Sequence, residues 1–501
     1  MFQHVFIQID RVVTRRLPCF LITAIALAAL AGCVSMAPEY ERPEAPIPHT
    51  YNIDHAGRAD TGPMPVLPEW RAYFTDPVLI RLIETALENN RDLRIAALRV
   101  AEARSAFRIQ RSERLPELAA DGQAGRTRVP GDLNMTGEPM VSGEYRAQVG
   151  ATHWELDLWG RLRSLEASAL QNWLATDAAR QAVHVALIAQ VADGYLGLRE
   201  IDERVEIARQ SVASREDTYR IFKRRHEVGA TSKLELTQAQ TLLTQAQSLH
   251  AQLEHQRAAQ INALRQLIGG DPGKLPPIAP FDETMMLADL EPGLPSDLLN
   301  NRPDIIAAEH RLRAANADIS AARAAFFPRI ALTGAFGTAS AELDGLFDAG
   351  SRAWLFAPTI SLPIFDGGRR QANLTLAEVR HDISVAHYEQ TVQTAFREVA
   401  DALSARRWAA RQLEVQRTAR EAQAERARLA QLRYDNGSAA YLEVLDAQRA
   451  LLDAEQQLVQ ARRALLSNQV ALYSALGGSL TPAGRNGASW IAPLSSDADS
   501  Q

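Results

Sequence analysis

The sequence repeats itself at half length. With Gly229 set against Gly437, Leu234 falls on Leu442, Ala239-Gln240 on Ala447-Gln448, Ala246 on Ala454, Leu264 on Leu472 and Gly269-Gly270 on Gly477-Gly478, at a constant offset of 208 residues. Upstream, Asp92, Arg99 and Leu115-Pro116 match Asp304, Arg311 and Phe327-Pro328 at an offset of 212, and Gly160-Arg161 matches Gly368-Arg369. Solenoid repeats have periods of roughly 20–50 residues, so this spacing reads as one duplicated half-molecule.

Each half carries the same order of elements. A helix comes first, over about 77–114 and 303–326, and ends before a proline, where the α conformation of the preceding residue is disfavoured. Two strand-like segments follow. In the second half Trp354, Phe356, Ile360, Leu362 and Ile364 alternate with Leu355, Ala357, Thr359 and Ser361, and Ile330, Leu332 and Phe336 alternate with Ala331, Thr333 and Ala335. The first-half strands span about 117–128 and 144–158, with Tyr145, Ala147, Val149 and Ala151 set against Arg146, Gln148 and Thr152. Each half then has a long helical stretch broken once. The first is 161–226, a turn at Val228-Gly229-Ala230-Thr231, and 232–268; the second is 369–434, a turn at Asn436-Gly437-Ser438, and 440–476. None of these four segments contains proline. A helix of about 65 residues is about 100 Å long.

Residues 440–476 limit how such helices pack. Val444, Leu451, Leu458, Leu465 and Leu472 are spaced by seven, as are Leu445, Leu452, Val459, Leu466 and Tyr473, and as are Ala447, Ala454, Ala461 and Ala475, with Asn468 the exception. A strict seven-residue repeat implies left-handed supercoiling. At 100° per residue the three columns cover an arc of about 160°, wider than a two-stranded seam. The helix therefore has partners on two sides, which either a closed cylinder of helices or a solid bundle provides. The strands favour the cylinder. Four amphipathic strands are too few to close a transmembrane barrel, since single-chain barrels have about eight or more, and an open edge is not tolerated in lipid. Either they form a small soluble sheet or several chains pool them; three chains would supply about twelve strands.

The N-terminus reads as an address. Arg11, Arg15 and Arg16 precede an apolar run from Leu17 to Leu30, about fourteen residues, which is too short for a spanning helix but suits a signal sequence. It ends Leu30-Ala31-Gly32-Cys33, small residues before a cysteine, as in a lipobox whose thiol is acylated. The chain has two cysteines; Cys19 would leave with the signal and Cys33 would carry lipid. Val34, rather than aspartate, follows Cys33, which favours delivery to the outer membrane, and the Pro-rich segment 34–48 is expected to run extended.

Chemistry-bearing motifs are absent. GlyAspProGlyLys at 270–274 lacks the glycine and hydroxyl spacing of a phosphate loop and reads as a turn. His250 and His255 are five apart and splay on a helix, so no metal site is expected, and no catalytic constellation is found. The acidic residues are expected on solvated helix faces. The net charge of −6, with Arg and Glu interspersed, gives no nucleic-acid signal.

The sequence resembles the TolC-like outer membrane factors, in particular the lipoprotein branch of OprM, CusC and NodT type. The resemblance rests on LeuAlaGlyCys at 30–33, ProGluTyrGluArgPro at 38–43, PheThrAspProValLeu at 74–79 and TrpGluLeuAspLeuTrpGlyArg at 154–161. It continues through GlyLeuProSerAspLeuLeuAsnAsnArgProAspIle at 293–305, SerLeuProIlePheAspGlyGlyArg at 361–369, TyrLeuGluValLeuAspAlaGlnArg at 441–449 and AlaLeuGlyGly at 475–478. Eight segments in the right order cover essentially the whole mature chain.

The family implies a mainly α fold with a small β part: a homotrimer whose long antiparallel helices form an α-barrel and whose four strands per chain form a shared twelve-stranded barrel. It implies an efflux duct in the outer membrane, anchored by lipid on Cys33, with no enzymatic activity, cofactor or metal. The partners implied are a periplasmic adaptor, an inner-membrane transporter of the resistance-nodulation-division class, and outer-membrane lipid. On this reading the chain divides into a signal peptide (1–32), a lipidated extended segment (33–76), a first repeat (77–268), a linker (269–302), a second repeat (303–478) and a tail (479–501). Gly229 and Gly437 mark the periplasmic tips, where a tight reversal needs positive φ. Arg433, Tyr434 and Asp435 are the candidate gate residues. Beyond the tip glycine, where some relatives carry an acid, this chain has Ser438-Ala439-Ala440, which speaks against a cation-selecting ring there. Two other readings compete. A periplasmic adaptor would carry one hairpin with more β structure, and a structural coiled-coil lipoprotein would not need the strands at 354–364.

Overall fold

The protein is described from a computed structural model, which covers residues 40–48, 51, 67–277, 281, 283–286, 290 and 295–478. The signal sequence, Cys19, Cys33 and the tail 479–501 lie outside the described residues. The main elements are α1 (Pro77–Asn89), α2 (Arg91–Ser112), β1 (Leu118–Val129), β2 (Met140–Glu155), α3 (Arg161–Glu227), α4 (Lys233–Ile268), α5 (Pro303–Ala324), β3 (Arg329–Ser340), β4 (Arg352–Ser361), α6 (Arg369–Asp435) and α7 (Tyr441–Ala475). The chain forms two compact units. One holds the strands and is built from Ala101–Ala175 and Ala308–Tyr388 with the segment up to Pro43; the other comprises Glu44–Val100, Thr176–Ala307 and Glu389–Gln501.

The first-half helix is divided rather than continuous. Asp76 starts α1 by accepting from the backbone N–H of Val78 (2.7 Å) and Leu79 (3.1 Å), with Pro77 at the first helical position, where its missing N–H costs nothing. Asn90 then breaks the run: its backbone is extended, its side-chain oxygen accepts from Leu93 N–H, and its amide donates to Leu267 O. Local capping here overrides the periodicity that predicted one helix over 77–114. Close by, Gly269 sits at φ 71°, where a Cβ would come 2.4 Å from Asn89 O; in the second half Gly477, at φ 96°, stands in the same relation to Asn301 O at 2.7 Å. The repeated glycine pairs are thus sites of close backbone approach that only glycine fits.

In the strand-bearing unit, the WELDLWGR motif joins sheet to helix. Asp157 caps α3 through the N–H groups of Leu162 and Arg163; Trp159 donates to Pro328 O at 2.7 Å and stacks on Phe327; Glu155 takes Arg161 and Arg329. Asp366 repeats the cap at α6 through Gly368 and Arg370 N–H. In the same unit Glu309 of α5, with its side chain 8% exposed, is held by Arg42 at 2.7 Å and by Arg313, tying down the segment 40–43.

In the other unit α7 tests the heptad. The column Leu445, Leu452, Val459, Leu466 and Tyr473 is fully buried, as are Ala447, Ala454, Ala461 and Ala475. The third column is buried at Val444 and Leu472 and half-buried at Leu451, Leu458 and Leu465, so one chain leaves that side partly open. The aromatic core combines Trp70, Tyr73 and Phe74 with Tyr473, whose ring stacks on Tyr73 at 4.7 Å.

The expectation that acidic residues lie on solvated faces fails at several positions. Asp202, 1% exposed, pairs with Arg257 at 2.7 Å; Glu203 pairs with Arg462; Glu309 is buried as described. Helices with neighbours on several sides have few solvated faces, so their charges are buried in pairs. Among the described residues no helix is long and apolar enough to cross a membrane, and no group of three or more His, Cys, Asp or Glu could hold a metal ion.

Candidate functional site

Two regions carry chemistry suited to a function: the hairpin tips and the sheet. Both tips close on the same turn. At the first, Gly229 lies at φ 73°, its N–H donates to His226 O, and Ala230 N–H donates to Arg225 O. At the second, Gly437 lies at φ 71°, its N–H donates to Tyr434 O, and Ser438 N–H donates to Arg433 O. This is the Schellman pattern, whose left-handed residue glycine adopts without strain.

The helices leaving the two turns start differently. Ser232 caps α4 with a complete capping box: its hydroxyl accepts from Glu235 N–H, and the Glu235 carboxylate accepts from Ser232 N–H at 2.9 Å. The Thr231 hydroxyl adds a third donor, and these hydrogen bonds hold the Glu235 carboxyl below its ordinary range. Ala440 starts α7 with no side-chain cap. Glu443, the counterpart of Glu235, instead accepts from Arg433 across the turn at 2.8 Å.

The two tips also touch each other. The Arg225 guanidinium donates to the Tyr434 hydroxyl, and the Tyr441 hydroxyl donates to Thr218 Oγ1 at 3.2 Å. The Tyr441 ring packs on Phe222 at 4.5 Å and edge-on to Tyr434 at 4.8 Å. Burial pushes the Tyr441 hydroxyl up. Of the three candidate gate residues, Tyr434 therefore lies in a cross-hairpin cluster, Arg433 bridges its own turn, and Asp435 accepts from Gln431 within α6. Phe222, Arg225 and Tyr441 went unread in the sequence. The repeat held a signal for Arg225, which lies 208 positions before Arg433. Between α4 and α7 a groove of about 260 Å³ is lined by Thr237, Thr241, Leu242, Leu442, Asp446 and Arg449 among others.

The sheet is antiparallel, in the order β1-β2-β3-β4, with the outer sides of β1 and β4 unpaired. Its register (Val149↔Phe336, Phe336↔Trp354, Gly334↔Phe356, Ile330↔Ile360) gathers the apolar side chains on one face. They are exposed there: Phe336 is 66% and Trp354 77% accessible. The other face carries Asp121, Gln123, Glu144, Arg146 and Gln148 with many small residues. A bulge between Ala151 and Trp154, with His153 at φ 56°, sets Trp154 opposite Leu332 on the apolar face, where strict alternation from Ala151 would put it on the other.

The outer membrane efflux protein family matches the chain twice, over residues 82–270 and 294–478, in line with the duplication. Outer membrane protein OprJ of Pseudomonas aeruginosa is 44% identical over 436 residues, covering 87% of this chain and 91% of its own length. The solvent efflux pump outer membrane protein SrpC of Pseudomonas putida is 45% identical over 458 residues, covering 90% and 97%. The crystal structure of the open state of the Neisseria gonorrhoeae MtrE outer membrane channel superposes with a TM-score of 0.80 at 37% identity, covering 89% of this chain and 98% of that one.

Proposed function

This chain belongs to the outer membrane efflux protein family, and on that footing we propose that three copies pool their strands and hairpins into one continuous conduit. The chain is the outer-membrane exit duct of a tripartite efflux pump, with the fold of the TolC-like channels. One observation carries the trimer: a four-stranded sheet with two unpaired edges and one exposed face that is apolar over most of its length. Such a sheet is stable neither in water nor in lipid until its edges are paired. Three copies close it at about twelve strands, within the range of known barrels. Neither a periplasmic adaptor nor a structural coiled-coil lipoprotein needs this sheet. Light scattering of the protein in detergent is expected to give a trimer; a monomer with intact fold would overturn the proposal.

In this reading the duct catalyses nothing and needs no cofactor. Cys33 carries the lipid anchor, so Cys33→Ser abolishes labelling by palmitate, and continued labelling would refute it. The hairpin tips, with the groove between α4 and α7, receive a periplasmic adaptor. Arg433, Tyr434 and Asp435 form the gate, in which the Arg225–Tyr434 hydrogen bond ties the two hairpins together until the adaptor engages. The transporter is of the resistance-nodulation-division class; efflux through this duct that persists in cells lacking every such transporter would sink that assignment.

A further inference from the structure

The apolar face of the sheet is not apolar to its end. The alternation that places Leu118, Ala120 and Ala124 on this face continues to Arg126 and Arg128, and the row of Trp354 and Phe356 begins at Arg352. These three arginines are exposed and make no ion pair among the described residues. No Asp or Glu stands on this face of any of the four strands. Sister subunits have the same sequence, so a closed barrel brings no strand carboxylate to neutralise them either.

Their height is fixed by counting. Arg126 lies eight positions beyond Leu118, and Arg352 eight positions before Ile360. At about 3.3 Å per residue and a tilt of about 40°, that is roughly 20 Å of height; Arg128 reaches roughly 25 Å. The outward apolar band of such barrels is about 25 Å tall. All three arginines therefore stand at its upper rim, beside the loops 130–139 and 341–351, which lie at the strand ends remote from the helices. An outward-facing arginine costs about 2–4 kcal/mol at the bilayer midplane and about 0–1 near the interface, which accounts for their confinement to one end.

We infer that Arg126, Arg128 and Arg352 form a belt that binds the phosphate groups of outer-leaflet glycolipid. The belt is continuous with the lipid-facing surface, it is cationic with no internal counterion, and bidentate guanidinium–phosphate pairing suits it. The five carboxylates of the two loops (Asp132, Glu138, Glu342, Asp344 and Asp348) lie beyond the strand ends and pair with none of the three. This inference rests on the trimeric barrel proposed above.

The test titrates the full-length protein in detergent with fluorescent bisphosphorylated lipid A and with the same lipid dephosphorylated. Native mass spectrometry first establishes the trimer. A monomer breaks the barrel reading; a trimer without lipid preference breaks only this one. The expected result is tighter binding of the phosphorylated lipid, reduced about fivefold by Arg128→Gln and about twentyfold or more by R126Q/R128Q/R352Q. Arg146→Gln, on the opposite face, leaves binding unchanged. Equal affinity for the two lipids, an unaltered triple variant, an equal loss in Arg146→Gln, or displacement by inorganic phosphate at matched ionic strength would each overturn it. Should the triple variant fail to assemble, the three single variants replace it, and undiminished binding in all of them has the same consequence.

Discussion

The two hairpin tips share a turn and differ in how it is secured. Both reverse through a glycine near φ 70° with the same pair of backbone hydrogen bonds. At the first tip the start of α4 is secured locally, because Ser232, Thr231 and Glu235 satisfy one another within one turn of chain. The second has Ala440 where the first has Ser232, so Glu443 is released from capping and pairs with Arg433, while Tyr434 and Tyr441 face the other hairpin. Two hydroxyls, those of Thr231 and Ser232 against Ala439 and Ala440, thus separate a glutamate held at its own helix start from one free to pair across its turn. The gating proposed above needs contacts that can be exchanged, and the second tip has them.

The largest expected contrast comes from the glycines. A Cβ at Gly229 or Gly437 meets nothing within 4 Å, so valine is penalised at both by backbone strain alone, about 1–3 kcal/mol. Gly437→Val should cut efflux severalfold in drug-susceptibility assays with the trimer intact, whereas Gly229→Val, restrained by the capping box, should lose less. Equal losses would erase the distinction between the tips.

Next in size are the caps. Ser232→Ala should destabilise the first tip by about 1 kcal/mol, read as faster local hydrogen exchange at the start of α4. Ala440→Ser should strengthen the second by less, because a new cap competes with Arg433 for Glu443. If Ser232→Ala leaves exchange unchanged, the capping box is not what secures the first tip. Removing the cross-hairpin hydrogen bond with Tyr434→Phe or Arg225→Gln should weaken closure by about 0.5–1.5 kcal/mol and raise single-channel conductance. A double variant no worse than either single one identifies the pair as one contact; additive effects would separate them.

The smallest effect distinguishes the tips by solution conditions. The lowered carboxyl pKa of Glu235 contributes stability that is present above the ordinary value of 4.5 and lost as the pH falls through the lowered one. The first tip should therefore loosen only on acidification below about pH 4.5. The exposed Arg433–Glu443 pair, worth about 0.2–1 kcal/mol, should weaken with salt at neutral pH. Hydrogen exchange that responds identically at both tips would contradict this.

Much of the architecture was legible because it is periodic or punctuated. The 208-residue offset announced two halves, proline-free stretches announced α3, α4, α6 and α7, and alternation announced four strands. Gly229 and Gly437 were readable because no other residue takes a left-handed turn so easily. What escaped were features set by neighbours distant in sequence. Asn90 ends α1 through a hydrogen bond to Leu267, and Asp202 is buried because Arg257 lies beside it. Arg225 counts at the tip only because folding brings Tyr434 to it.

By itself the sequence determined the local matters: element type, helix starts such as Asp76-Pro77, turn positions, and the apolar and polar sides of each strand. These follow from backbone sterics and from spacing along one chain. Only the tertiary structure decided which strand positions stand opposite one another, which charges are buried in pairs, and which residues of the two tips meet. Those outcomes depend on contacts closed over hundreds of residues, and no local propensity encodes them.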